Sequence, residues 1–113
     1  MLIPGDVPEI SAQEVSKAIQ REDDILILDV RTPAEYSRGH IEGSVNIPVD
    51  KIPNQAPKTI RDKKRTIYTY CLSGSRSALA SAELLQMGYK NVKNMTSGLL
   101  AWRSEGYLLS IID

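Results

Sequence analysis

Residues 25–30 read Ile-Leu-Ile-Leu-Asp-Val, an apolar run with no alternation. A strand with one wet face alternates apolar and polar side chains, so an unbroken run reads as a strand covered on both faces. That is the environment of a parallel sheet sandwiched by helices. Parallel strands need long crossovers, usually helical, and the intervening segments carry helix signals. In Ile10-Ser11-Ala12-Gln13-Glu14-Val15, Ser11 and Glu14 form a capping box, with Ile10 against Val15 as a hydrophobic staple. Val15, Ala18 and Ile19 then share one helical face. Thr32-Pro33-Ala34-Glu35 repeats the capping logic with proline at the first helical position, and Gly39 keeps that helix short. Val45-Asn46-Ile47 reads as a brief strand ended by Pro48. Thr66-Ile67-Tyr68-Thr69-Tyr70 is a further strand, followed by a helix from about residue 77 to Met87 with Gly88 as its cap. Val92 to Met95 fits a last strand. Gly98-Leu99-Leu100-Ala101-Trp102-Arg103 fits a last helix that stops near Gly106, with Trp102 on its core face. Residues 50–65 are ambiguous, because Pro53 and Pro57 break any long helix and Lys58 to Arg65 reads as basic loop. The alternation of strand and helix implies an α/β fold with a mostly parallel sheet.

The 113 residues suit one domain spanning 1–113. Fourteen basic residues balance fourteen acidic ones, so no global field draws the chain to nucleic acid or to an anionic membrane. No apolar run reaches the roughly eighteen residues of a membrane span. The opening Met1-Leu2-Ile3-Pro4-Gly5-Asp6 has neither the basic start nor the apolar core of a signal peptide. With a single cysteine, these features lead to the expectation of a cytoplasmic protein. One cysteine and one histidine make no metal-ligand cluster, and no cofactor motif is present.

That cysteine begins the segment Cys71-Leu72-Ser73-Gly74-Ser75-Arg76-Ser77, between a strand run and a helix run. A helix N-terminus offers unpaired N–H groups and the positive end of the dipole, which favour thiolate over thiol and hold anions. The small residues Ser73, Gly74 and Ser75 let the loop curl, and Gly74 tolerates positive φ. Arg76 adds a permanent cation with a planar donor fork suited to an oxyanion. Asp29 and Arg31 lie at the carboxyl end of an inner strand, where ligands bind in open parallel sheets. A carboxylate raises the pKa of a nearby thiol, so Asp29 reads as part of a loop-fixing Asp29–Arg31–Glu35 network. Lys58, Arg61, Lys63, Lys64 and Arg65 are the densest charge cluster and read as a solvated loop, with a docking patch for an acidic partner as the other reading.

Three segments in this order resemble the single-domain rhodanese (sulfurtransferase) family over nearly the whole chain. They are Leu28-Asp29-Val30-Arg31-Thr32-Pro33-Ala34-Glu35-Tyr36 with Gly39-His40-Ile41-Glu42-Gly43-Ser44-Val45-Asn46-Ile47-Pro48, then Tyr70 to Ser77, then Met95-Thr96-Ser97-Gly98 leading to Trp102 and Gly106. The chain departs from the family's frequent paired glycines at Ser97-Gly98, and from its frequent proline at Leu108. The resemblance implies a three-layer fold with a five-stranded sheet, mostly parallel, and helices on both faces. It also implies sulfur transfer through a persulfide on a catalytic Cys71, with Leu72, Ser73, Gly74, Ser75, Arg76 and Ser77 binding a small anionic sulfur donor such as thiosulfate. Asp29, Arg31 and Glu35 are then structural support, and cyanide, a thiol or a protein is the acceptor. His40, in a Gly-His-Ile-Glu-Gly turn, reads as a structural hydrogen bonder.

Two other functions compete. A cysteine phosphatase or arsenate reductase also closes a cysteine loop with arginine, but its loop is one residue longer than the four residues Leu72 to Ser75. The smaller ring suits an added sulfur better than a tetrahedral phosphate. A carrier that only passes sulfur from a desulfurase to a partner is the second, and fold does not separate it from an enzyme. Leu72 and Ser73 match neither the basic loops common in thiosulfate enzymes nor the glycine common after cysteine in mercaptopyruvate enzymes, which leaves a glutathione or protein persulfide open as donor.

Overall fold

The computed structural model describes residues 3–111; Met1 and Leu2, where the signal-peptide reading begins, lie outside them. Strands β1 (Glu9–Ile10), β2 (Ile25–Asp29), β3 (Val45–Asn46), β4 (Thr66–Tyr70) and β5 (Asn91–Met95) form one sheet in the order β1-β5-β4-β2-β3. Every pairing is parallel. Helices α1 (Ala12–Gln20), α2 (Pro33–Arg38), α3 (Ile52–Thr59), α4 (Ser75–Gln86) and α5 (Gly98–Ser104) follow the strands in turn. No helix of the described residues is long and apolar enough to cross a membrane.

The unbroken run at 25–30 serves both faces, as its composition requires. Leu28 and Val30 enter one core with Ile52, Ala56, Ala80 and Leu84 from α3 and α4. Ile27 enters the other with Val15 of α1 and with Leu99 and Trp102 of α5. Both expected capping boxes form, Ser11 with Glu14 and Thr32 with Glu35. Ile10 and Val15 lie in the same buried cluster, as a staple requires. Ile19 departs from the expected helical face: Val15 and Ala18 are buried, whereas Ile19 sits at the edge of the stripe and is exposed.

One ambiguous segment is resolved and one helix boundary shifts. Residues 52–59 form a helix despite Pro57 in its interior. Pro53 sits in the first turn, where its missing N–H costs nothing. Ile52 and Ala56, one turn apart, are fully buried in the core shared with α4, and Ile60 follows them; this packing offsets the hydrogen bond that Pro57 cannot make. In addition, α4 starts at Ser75 rather than near residue 77, so Arg76 belongs to its first turn. The basic segment is partly structural: the Lys63 ammonium donates to Met87 O (2.9 Å) and lies over the Tyr89 ring, and Arg65 reaches Ile25 O and Asp24.

The topology places the site. From β2 the chain winds outward to β3, then returns to β4 and winds the other way to β5. Register pairs Asp29 with Tyr70 at the carboxyl ends of β2 and β4. Reversal of winding there opens a crevice at the sheet's carboxyl edge, the general ligand position in such folds. The segments entering it are Val30 to Thr32 and Cys71 to Gly74.

Candidate active site

The cysteine loop is oriented by α5. Leu99 N–H donates to Cys71 O (3.0 Å) and Leu100 N–H to Leu72 O (3.1 Å), so the loop's carbonyls point toward the start of that helix. This approach is possible only because residue 98 is glycine: a Cβ there would stand 2.2 Å from Cys71 O and 2.8 Å from Leu72 O. With its carbonyls engaged on one side, the loop turns N–H groups to the other, where the sulfur sits. Gly74 N–H donates to Cys71 Sγ at 3.1 Å, and Ser77 Oγ, from the first turn of α4, lies 3.4 Å from it. Gly74 takes φ +111° to make this turn, a conformation open to glycine at little cost.

Cys71 is buried. Burial pushes its thiol pKa up, and hydrogen bonds from the Ser77 hydroxyl and the backbone N–H groups of Ser77, Gly74 and Ser73 outweigh that effect, leaving it below the ordinary value. The competing negative charges nearby are neutralised. Asp29 is fully buried and held by Arg31, whose Nε and Nη2 donate to the carboxylate at 3.0 and 2.6 Å while Nη2 also reaches Gly39 O. Asn46 Nδ2 donates to the carbonyls of Asp29 and Arg31, fixing the end of β2.

Arg76 and Glu35 form a pair of their own. Arg76 Nη1 and Nη2 donate to Glu35 Oε1 and Oε2 at 2.7 and 3.0 Å. The bond from Arg76, helped by the capping contacts to Thr32, brings the Glu35 carboxyl down to about 2. The expected Asp29–Arg31–Glu35 network is therefore two units: a buried Asp29–Arg31 pair, and a Glu35–Arg76 pair that ties α2 to α4. The helical start at Ser75 explains the difference, since it turns Arg76 toward α2.

Among the other expected residues, Leu72 is partly exposed beside the nucleophile, and the Ser73 and Ser75 side chains are exposed at the rim. His40 is buried, stacked on Tyr36 at 3.7 Å between ring centroids, with Nδ1 2.8 Å from Tyr36 O. Trp102 is core, its Nε1–H donating to Leu108 O.

Sequence reasoning missed a buried polar stack beneath the loop. Asn94 Oδ1 accepts from Ser77 Oγ at 2.5 Å, and Asn94 Nδ2 donates to Gly74 O at 3.2 Å. Thr69 and Ser81 hydrogen-bond each other just below, and Thr69 Oγ1 also donates to Ser77 O. Asn94 thus holds both the residue whose N–H meets the sulfur and the side chain whose hydroxyl does. The available signal was periodicity, because Asn94 falls two residues after the buried Val92 on a strand, at an inward position where an apolar residue is expected.

The chain's similarities agree with this geometry. Residues 11–105 match the family model described as the rhodanese-like domain. A sulfurtransferase of Allochromatium vinosum is 37% identical over 88% of this chain and 92% of its own length. YrkF of Bacillus subtilis, whose name designates it a sulfur carrier, is 33% identical over 87% of this chain, which spans 52% of it. A rhodanese-related protein from Thermoplasma volcanium superposes with a TM-score of 0.81 at 30% identity, covering 93% of this chain and 99% of its own.

Proposed function

The chain belongs to the rhodanese-like domain family, and from that premise we propose that it is a sulfurtransferase working through a persulfide on Cys71. The observation that carries this reading is the convergence of Gly74 N–H and Ser77 Oγ on one buried sulfur, with a thiol pKa lowered by them. Such a cradle stabilises negative charge on the sulfur before transfer and on the persulfide after it.

In the first step the Cys71 thiolate attacks the sulfane sulfur of the donor. The donor's sulfur–sulfur bond breaks and its electron pair leaves with the departing group, sulfite when thiosulfate is the donor. In the second step a cyanide or thiolate acceptor attacks the outer sulfur of the Cys71 persulfide. That sulfur–sulfur bond breaks, its pair returns to Cys71, and thiocyanate or a new persulfide departs. No general base is required at the sulfur, because the cradle favours its ionised form.

Sulfur suits this loop better than phosphate. Only four residues separate Cys71 from Arg76, and both terminal nitrogens of Arg76 are held by Glu35 rather than free to clamp a tetrahedral anion. Intact-mass measurement tests the proposal: incubation with thiosulfate, or with glutathione persulfide, is expected to add one sulfur atom to the wild type and none to Cys71→Ser. Failure of the wild type to gain sulfur from either donor overturns it. The likeness to a protein named as a sulfur carrier supports a second reading, in which the same persulfide is handed to a partner protein without fast turnover. Rapid sulfur uptake with negligible thiosulfate:cyanide turnover would select that reading.

A further inference from the structure

Among the described residues, Ser77 Oγ has three acceptors within reach: Asn94 Oδ1 at 2.5 Å, Gly74 O at 3.2 Å and Cys71 Sγ at 3.4 Å. A hydroxyl has one proton to donate, so these contacts cannot all be made at once. Asn94 is the fixed member of the group. Its strand is paired on both sides, opposite Glu9 of β1 and Thr69 of β4, and the residue is buried at 3% exposure, out of reach of solvent that could replace it. Its amide has one orientation. Nδ2 donates to Gly74 O, which can only accept, and this leaves Oδ1 facing Ser77. Gly74 O also receives Ala78 N–H at 3.0 Å, so the loop's junction with α4 does not depend on Asn94.

What the hydroxyl does then depends on the charge of the sulfur. A thiol is a weak donor, and Ser77 Oγ can accept from it while its own proton stays on Asn94. A thiolate is a charged acceptor and draws that proton away from Asn94. A persulfide leaves Sγ without charge again. Building on the persulfide reading, we propose that Asn94 is a positioning residue for sulfur transfer, taking the Ser77 hydroxyl whenever Cys71 Sγ is uncharged and yielding it whenever Sγ is a thiolate. During loading the thiolate attacks the sulfane sulfur of thiosulfate, the donor's S–S bond breaks and the electron pair leaves with sulfite. The hydroxyl swings back to Asn94 as Sγ loses its charge. During unloading cyanide takes the outer sulfur as thiocyanate, the pair returns to Sγ, and the hydroxyl swings to meet it. No proton changes atoms; the hydroxyl only turns about its C–O bond. Without the amide acceptor the hydroxyl stays on the thiolate, and a ground state stabilised in this way is slower to attack.

Asn94→Leu, with the same number of side-chain heavy atoms, removes the acceptor. The pH midpoint of Cys71 alkylation by iodoacetamide is expected to fall. Loading from thiosulfate, followed by intact mass above that midpoint, is expected to slow about three- to ten-fold, the range for one net hydrogen bond, while unloading by cyanide is not slowed. A loosened loop would do the reverse, raising the midpoint and slowing both steps. In a Ser77→Ala background, Asn94→Leu is expected to change neither midpoint nor loading rate, because its effect passes through the hydroxyl. A midpoint that stays or rises in Asn94→Leu, or a further effect of that change when Ser77 is already alanine, overturns the proposal. Should Asn94→Leu not fold, the wild type carries the test. Its Asn94 side-chain amide resonance is expected to shift as Cys71 ionises and to return toward the thiol position when thiosulfate loads the sulfur at the same pH. A resonance indifferent to both overturns the proposal. If Cys71 gains sulfur while these effects are absent, the role of Asn94 alone fails. If no donor loads Cys71, the persulfide reading fails with it.

Discussion

Ser77 has one hydroxyl proton and more than one claimant. Asn94 Oδ1 is at 2.5 Å and Cys71 Sγ at 3.4 Å, so the thiol form leaves the proton with Asn94 and the thiolate competes for it. Removing the hydroxyl takes a donor from the ionised sulfur and leaves the burial that opposes ionisation. The Ser77→Ala variant should therefore raise the pH midpoint of Cys71 alkylation by iodoacetamide, because the hydroxyl is one of the donors that lower the thiol. An unmoved midpoint would show that the backbone N–H groups alone set the thiol. Close by, Ser97 adopts φ +58° with no side-chain capping bond, next to the glycine that must be glycine. Ser97 is exposed, so its side chain contributes little to set against this backbone cost. Ser97→Gly is expected to stabilise the fold by roughly 0.5–1 kcal/mol, net of the greater freedom glycine gives the unfolded chain, as a higher urea midpoint.

Among the elements, α3 carries the clearest conflict between local preference and packing. Its interior Pro57 removes a backbone bond and crowds the preceding turn, while Ile52, Ala56 and Ile60 fill the core against the sheet. Since Pro57 is exposed and takes no part in that packing, Pro57→Ala should keep the burial and restore the bond. A gain of about 1–2 kcal/mol by chemical denaturation is expected, less than the full interior-proline penalty because alanine also loosens the unfolded chain. The capped helices α1 and α2 show the opposite case, in which local signal and tertiary use coincide and the element is legible residue by residue.

At the scale of the whole molecule, the Glu35–Arg76 pair spans the crevice, joining the helix after β2 to the helix after β4. Glu35 is depressed from an ordinary 4.5 to about 2. A carboxyl whose folded value is lowered contributes stability that is fully present above the unfolded value and lost as pH falls through the folded one. The contribution should accordingly be intact at neutral pH, begin to fade near pH 4.5 and vanish near pH 2. Glu35→Gln should lower Tm by a few degrees at pH 7, consistent with about 1 kcal/mol for a partly exposed bidentate pair. The gap between variant and wild type should close as pH approaches 2; a gap independent of pH would assign the effect to something other than the carboxylate's charge, since glutamine can still accept from Thr32.

The α/β class, both capping boxes and the position of the cysteine loop were legible in the sequence, because each depends on neighbours within a few residues: an unbroken apolar run, a Ser or Thr three before a Glu, a small-residue turn between strand and helix. The family segments extended this to a five-stranded, mostly parallel sheet, and the structure makes every pairing parallel. The buried Asn94, the partner of Arg76 and the helix through Pro57 were not legible. Each is decided by groups far apart in the chain: Ser77 and Gly74 meeting β5, α4 turning toward α2, and α3 covering a core it shares with α4. The sequence alone determined that Cys71 would stand at the carboxyl edge of a parallel sheet, with donors available to it. Only the tertiary structure decided which donors point at the sulfur, because α5 draws the loop's carbonyls away through a contact that Gly98 alone leaves room for.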